Sequence, residues 1–377
     1  MGEVNIQDME KEFHDIDNRG DWNAVYQELA EQGRRAEGTC SVAKRQENRR
    51  LNRYRDVNPF DESRVKLQGV DNDYINASLV PVPEAGRRYI LTQGPLVSTC
   101  GHLWQMIWQQ RSAAIVMLCC LLKSHKVKCN RYWPREPDKK KLFREQGLQV
   151  SLVKEERQAA YTVRTLQLMH IQSQQSRSIT QFHCTRWPDF GVPESPDLFL
   201  DFLFRVRSSE LLGPEHGPAV VHCSAGIGRS GTFCLVDSCL VMLSKRGGDG
   251  RVNVRDVLLR MRRFRMGLIQ TPGQLRFSYL AILRGLAISS SLPLVLPSGT
   301  NRSQEEMRVE NILNNFSAVA AVSNGDHRQP QIHEDHVSEL DADCQGERDH
   351  KKEDSWQRDR HSSKQEHGFP PLKRTKR

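Results

Sequence analysis

Attack on a phosphate ester calls for a nucleophile, a ring of hydrogen-bond donors and a fixed cation, and one ten-residue segment supplies residue types for all three. It reads His222-Cys223-Ser224-Ala225-Gly226-Ile227-Gly228-Arg229-Ser230-Gly231. The preceding Gly217-Pro218-Ala219-Val220-Val221-His222 has the pattern of a buried strand, and an apolar-periodic helix starts at Thr232. Between them the glycines let the backbone curl so that successive N–H groups point inward, and the helix adds its positive N-terminal end. Ser224, Ala225, Gly226, Ile227 and Gly228 thereby form a candidate cradle for a tetrahedral dianion. Arg229, six residues after Cys223, can close the rim with a bidentate contact that lysine could not reproduce. A thiolate is favoured where backbone dipoles and a guanidinium converge, and held against phosphorus it is an in-line nucleophile. Ser230 is placed to help that thiolate leave. The competing interpretation is a structural cysteine beside a glycine turn; strand, C-x5-R loop and helix in succession favour catalysis.

Ester cleavage also needs a proton delivered to the leaving oxygen. Trp187-Pro188-Asp189-Phe190-Gly191-Val192-Pro193 offers Asp189 on a loop bracketed by Trp, Pro and Gly, able to swing as a hinged lid. Alone, the same residues would also fit a simple turn. Ile269-Gln270-Thr271-Pro272-Gly273-Gln274 supplies neutral side chains with both donor and acceptor, suited to orienting a water rather than ionising it. Asn52-Arg53-Tyr54-Arg55-Asp56-Val57 supplies an aromatic wall that would make the cleft deep. Without the other motifs, a surface glutamine and a polar turn are the commoner interpretations of these two segments.

Together these segments resemble the protein tyrosine phosphatases, in particular the non-receptor ones. The resemblance covers about residues 5–285, and HCSAGIGRSG matches the family's phosphate-binding loop residue for residue. It implies one mixed α/β domain with a highly twisted central sheet, no metal or other cofactor, and a two-step cysteinyl-phosphate mechanism. By resemblance, Cys223 is the nucleophile, Arg229 binds phosphate, Asp189 is the general acid and then base, and Gln270 positions the hydrolytic water. Tyr54 stacks on the substrate ring, Asp56 holds the substrate backbone, and Lys128 meets the closed acid loop. Arg55, Phe190, Gln274 and Arg262 complete the expected substrate-binding set. Asp73-Tyr74-Ile75-Asn76-Ala77-Ser78 matches a structural segment.

Three departures limit what is carried over. Some relatives build a second aryl-phosphate pocket from two arginines; Arg262 matches one, but Ala30 stands at the other position. Lys123 replaces an acid that supports the loop arginine in relatives, a charge reversal. Pro272-Gly273 replaces a pair whose second member is usually Asp. None removes a reacting group. A catalytically impaired phosphotyrosine-binding module would predict loss of Cys223, Arg229, Asp189 or Gln270, and all four are present. A dual-specificity phosphatase would have no use for the Tyr54 wall.

The elements that must position these groups follow from periodicity. Phe13, Ile16, Trp22, Val25, Tyr26 and Leu29 suggest one or two short helices near the start. A helix is expected over 103–110 and a strand over 114–122, with further strands over 148–154, 160–170 and 178–184. Helices are expected over 198–207, 232–245, 254–264 and 272–286. This mixture argues for one α/β catalytic domain over residues 1–288. Residues 289–377 are polar and nearly free of aromatics, which predicts a disordered regulatory tail. Within it, Ser303 and Glu306 form a capping box ahead of a short apolar-periodic helix over 304–321.

Composition narrows the class. Residues 1–288 carry 42 Lys and Arg against 31 Asp and Glu, while residues 289–377 carry 13 against 15. The positive excess therefore sits on the domain, where it raises the local concentration of anionic ligands. No basic run interleaved with aromatics supports nucleic acid, so tyrosine-phosphorylated proteins, such as kinases and their substrates, are the expected partners. Ten cysteines without a regular framework fit a reducing compartment better than a disulfide scaffold, and no CxxC or HExxH points to metal. The start is polar and unlike a secretory signal, and the longest apolar stretch, 113–122, is too short to span a bilayer. The expectation is a monomeric cytoplasmic enzyme that acts against tyrosine-kinase signalling. Lys373-Arg374-Thr375-Lys376-Arg377 reads either as a nuclear import signal, bound by an import receptor, or as a solvated end.

Overall fold

The computed structural model describes residues 6–135, 138–187, 191–193, 195–245 and 252–291. Asp189 and Phe190, the helix expected over 304–321 and the basic C-terminus lie outside the described residues.

The described chain opens with helices α1 (Ile6–Arg19), α2 (Trp22–Arg35), α3 (Ser41–Lys44) and α4 (Gln46–Arg49). Strands β1 (Arg64–Lys66), β2 (Tyr74–Val82) and β3 (Arg87–Thr92) follow, then α5 (Cys100–Gln109). Next come β4 (Ala114–Met117), a small hairpin of β5 (Leu122–Lys123) and β6 (Lys126–Val127), then β7 (Lys140–Phe143), β8 (Leu148–Arg157), β9 (Tyr161–His170) and β10 (Ser176–Cys184). The last elements are α6 (Pro196–Arg207), β11 (Ala219–His222), α7 (Gly228–Lys245), α8 (Val254–Arg262) and α9 (Pro272–Ser291).

Nine strands form one mixed sheet in the order β1-β2-β3-β11-β4-β10-β9-β8-β7. Its centre, β3-β11-β4-β10, is parallel, and the flanks are antiparallel. Parallel strands covered on both faces read as unbroken apolar runs; Ala219-Val220-Val221 and Ala114-Ile115-Val116-Met117 are such runs, each residue at most 2% exposed. In α7, Phe233, Cys234, Leu235, Val236, Cys239 and Leu240 are all buried, so this helix is enclosed rather than amphipathic. It packs on α9, which also contacts α6, α2 and α1. Helix α6 starts where Ser195 Oγ accepts from the Asp197 N–H at 3.1 Å with Pro196 in its first turn.

The apolar stretch expected to be one strand over 114–122 is divided. Leu118 N–H still donates to His222 O at 2.8 Å. Beyond that point β11 has ended in the Cys223 loop, so the chain loses its ladder partner and turns out into the β5–β6 hairpin. Ser124 and His125 at its tip both have positive φ, 48° and 60°, a left-handed pair more often supplied by Asn-Gly.

A buried charge ties α7 to the sheet. Asp237 Oδ2 accepts from Arg87 Nε at 2.8 Å and from the Tyr89 hydroxyl at 2.6 Å, and the carboxylate is fully enclosed. Removing one member of such a group leaves the other charge buried and unpaired, which costs about 3–5 kcal/mol. Asp237→Ala is therefore expected to lower the unfolding free energy by about that much in urea titration. A change under about 1 kcal/mol, the scale of an exposed pair, would show that the network is not buried as described.

Candidate active site

The chain leaves β11 at the carboxyl edge of the parallel core and enters α7 within a few residues, the place where open α/β sheets bind ligands. Cys223 sits there at 3% exposure, and the Gly226 N–H donates to its Sγ at 3.3 Å. Gly226 has φ +73°, and a Cβ there would collide with the Thr92 carbonyl, so only glycine makes this turn. The loop's carbonyls must then face outward. Arg265, fully buried, takes two of them: Nε donates to Gly226 O at 2.9 Å and Nη2 to Ala225 O at 3.1 Å. Its remaining donors go to Ser78 Oγ at 3.1 Å and Asn76 Oδ1 at 2.9 Å. Burial pulls the Arg265 pKa down to about 10, which still leaves it charged near neutrality.

A cleft of about 650 Å³ opens over the loop, lined among others by Tyr54, Asp56, Lys128, Cys223, Ser224, Ala225, Arg229, Gln270 and Gln274. Ser224 Oγ donates to Lys128 O at 2.9 Å, so the Tyr54 hydroxyl, 2.8 Å away, is the donor to Ser224. Arg53 holds the tyrosine segment from behind. It donates to the carbonyls of Gly94, Pro95 and Val127 at 2.7–3.0 Å, and its own N–H to Gln93 Oε1 at 2.7 Å. The two glutamines lie over Gly228. Gln274 Oε1 accepts from the Gln270 N–H at 2.9 Å, and a Cβ on Gly228 would stand 2.5 Å from Gln270 Oε1.

Not every expected residue reaches the cleft. Arg55 is exposed and outside its lining, while Ser230 is fully buried one residue beyond Arg229. Arg262 lines a neighbouring pocket of about 360 Å³ with Ala30, Tyr26 and Gly33. Its guanidinium there donates to Leu29 O at 2.7 Å, Leu268 O at 2.9 Å and Ile269 O at 3.2 Å. Lys123 is exposed on the β5–β6 hairpin, where it lines the main cleft beside Lys126 and Lys128. Arg53 and Arg265 are the residues that the sequence reading passed over. Behind the loop, a hydrogen bond from the Cys129 thiol, reinforced by His222, holds the Cys119 thiol below the ordinary range, while burial raises Cys129.

Arg265→Met is expected to release the outward carbonyls. Hydrogen bonds to charged groups are worth about 1.5–3 kcal/mol each, so stability should fall by at least about 3 kcal/mol. Binding of the phosphate mimic vanadate, followed by calorimetry, should weaken in parallel. Unchanged vanadate affinity in a folded Arg265→Met protein would show that the guanidinium does not shape the cradle.

Residues 48–284 match the family model described as "Protein-tyrosine phosphatase". Over 277 residues the chain is 56% identical to the human and rat tyrosine-protein phosphatases non-receptor type 2, covering 74% of this chain. It spans 65% of the length of each of these two relatives. Over 271 residues it is 50% identical to the Drosophila melanogaster tyrosine-protein phosphatase non-receptor type 61F, covering 70% of this chain and 49% of that protein.

Proposed function

Because the chain belongs to the protein-tyrosine phosphatase family, we propose that it hydrolyses phosphotyrosine in proteins through a cysteinyl-phosphate intermediate. The observation that supports this most directly is the carbonyl-out loop around Cys223, with Arg229 at its end and Tyr54 on the cleft wall. Such a loop offers its N–H groups to phosphate oxygens, and Arg229 adds charge where the transition state gathers it.

In the first step the Cys223 thiolate forms the S–P bond as the P–O bond to the tyrosyl oxygen breaks. Asp189, assigned from its loop in the sequence, gives that oxygen a proton. In the second step a water positioned by Gln270 attacks phosphorus, Asp189 takes its proton, and the S–P bond breaks. Inorganic phosphate and the free thiolate remain. By the family resemblance, Asp56 on the rim receives the substrate backbone and Lys128 meets the closed acid loop. Tyr54 favours phosphotyrosine over phosphoserine, because a shorter side chain reaching past this wall would fall short of Cys223. That wall also weighs against a dual-specificity phosphatase.

Phosphotyrosine-bearing kinases and their substrates are the partner class this chemistry suits, in a role that opposes tyrosine-kinase signalling. Among the described residues no helix is long and apolar enough to cross a membrane. The Lys373–Arg377 cluster supports a nuclear pool beside a cytoplasmic one, through an import receptor.

Turnover of matched phosphotyrosine, phosphoserine and phosphothreonine peptides in the presence of a metal chelator tests the proposal. Phosphotyrosine alone should be hydrolysed at an appreciable rate; comparable phosphoserine turnover would overturn the specificity. Cys223→Ser should abolish turnover yet still bind the peptide, and Asp189→Ala should lose about 10²–10⁴-fold in kcat. Undiminished activity in either variant would sink the mechanism. Gly228→Ala should push the Gln270 carboxamide aside and slow breakdown of the phospho-enzyme more than its formation, read as a larger burst ahead of a slower steady state. Equal slowing of both steps would remove Gln270 from the hydrolytic role.

A further inference from the structure

Behind the nucleophile lie three side chains that the proposed reaction does not use. Cys119 follows β4, Cys129 follows β6 and His222 ends β11. One ligating atom of each lies within 4.8 Å of the other two, and the residues are 1%, 1% and 0% exposed. Metal–sulfur and metal–nitrogen bonds of about 2.0–2.3 Å set neighbouring ligand atoms roughly 3.5–4 Å apart in a trigonal site. The three atoms are therefore already close to bracketing an ion.

We propose that Cys119, Cys129 and His222 form a binding site for one soft monovalent cation of the copper(I) class, held by two thiolates and one imidazole. Thiolate sulfur selects soft ions. Zinc is almost always four-coordinate in closed protein sites, and among the described residues no fourth Cys, His, Asp or Glu joins this group. Two thiolates with a monovalent ion leave one net negative charge.

The surroundings supply what a ligating histidine needs, a hydrogen-bond partner for its other nitrogen. His222 Nε2 lies 2.8 Å from the Tyr132 hydroxyl, and Nδ1 lies 3.3 Å from Cys223 O. Whichever nitrogen turns to the ion, the other keeps an oxygen partner. The ligands are also braced: Leu118 N–H donates to His222 O, and Ser224 Oγ donates to the carbonyl of Lys128, next to Cys129. Binding would release the thiol protons. No local spacing announces the site, because its ligands come from three separate elements.

The test uses the full chain with Cys223→Ser and Cys344→Ser, which remove the proposed nucleophile and the tail thiol. Copper(I) is titrated anaerobically against the chromophoric chelator bicinchoninate. One equivalent should be retained, and Cys119→Ser or Cys129→Ser added to this background should each abolish retention while far-UV dichroism stays unchanged. X-ray absorption on the loaded Cys119- and Cys129-containing protein should report three-coordinate copper with two sulfur neighbours and one nitrogen. That measurement decides the matter even if a serine variant fails to fold. No retained copper, retention undiminished in folded serine variants, or a different ligand set would overturn the proposal.

Discussion

A loop that turns its carbonyls away from a cleft into the protein interior must find donors for them there. Here one guanidinium serves Ala225 and Gly226, while the Gly94 and Ile269 N–H groups serve the carbonyls of Ser224 and Ile227. Arg265 is fully buried, with two hydrogen bonds to the loop and two to β2 side chains. Burying an arginine is unfavourable unless its donors are satisfied, and the Ala225 and Gly226 carbonyls help satisfy them. The dependence runs both ways: the cation stabilises the outward carbonyls, and the carbonyls make its burial tolerable. Cys223 is aimed into the cleft as a consequence of that exchange, with strand β11 before it and helix α7 after it as rigid ends.

Those ends are rigid for a different reason. The central strands and α7 are apolar on nearly every face, so the hydrophobic effect fixes them without reference to the site. One polar intrusion, Asp237, is held by Arg87 and Tyr89. The fold therefore delivers the loop to the carboxyl edge of the sheet through bulk burial, and a handful of directional bonds sets its shape. The Tyr54 wall joins the same system through Ser224, and Arg53 links that wall to the segments bearing Gly94 and Val127.

What was legible in the sequence follows this division. The Cys223 loop could be read because its parts are contiguous, and the central strands and helices because burial writes itself as periodicity. The end of β4 could not, since it depends on where β11 stops rather than on its own apolar residues. β7, with Lys140 and Lys141 in a four-residue strand, carried too little pattern to register. Arg265 was passed over because it stands about forty positions from the loop it holds, in a stretch already crowded with arginines.

That crowding shows why residue type alone misassigns charge. Arg53, Arg262 and Arg265 all lie around the site, and all three give donors to backbone carbonyls. Arg229, at the end of the Cys223 loop, lines the cleft, and so does Arg53. An arginine committed to carbonyls contributes little to anion capture, because its donors are occupied and its position is fixed by the fold. Arg262 illustrates the point, with three backbone acceptors and Ala30 beside it in the neighbouring pocket. Distinguishing a guanidinium that shapes a site from one that meets the ligand requires knowing which carbonyls lie within reach, and that is a property of tertiary structure.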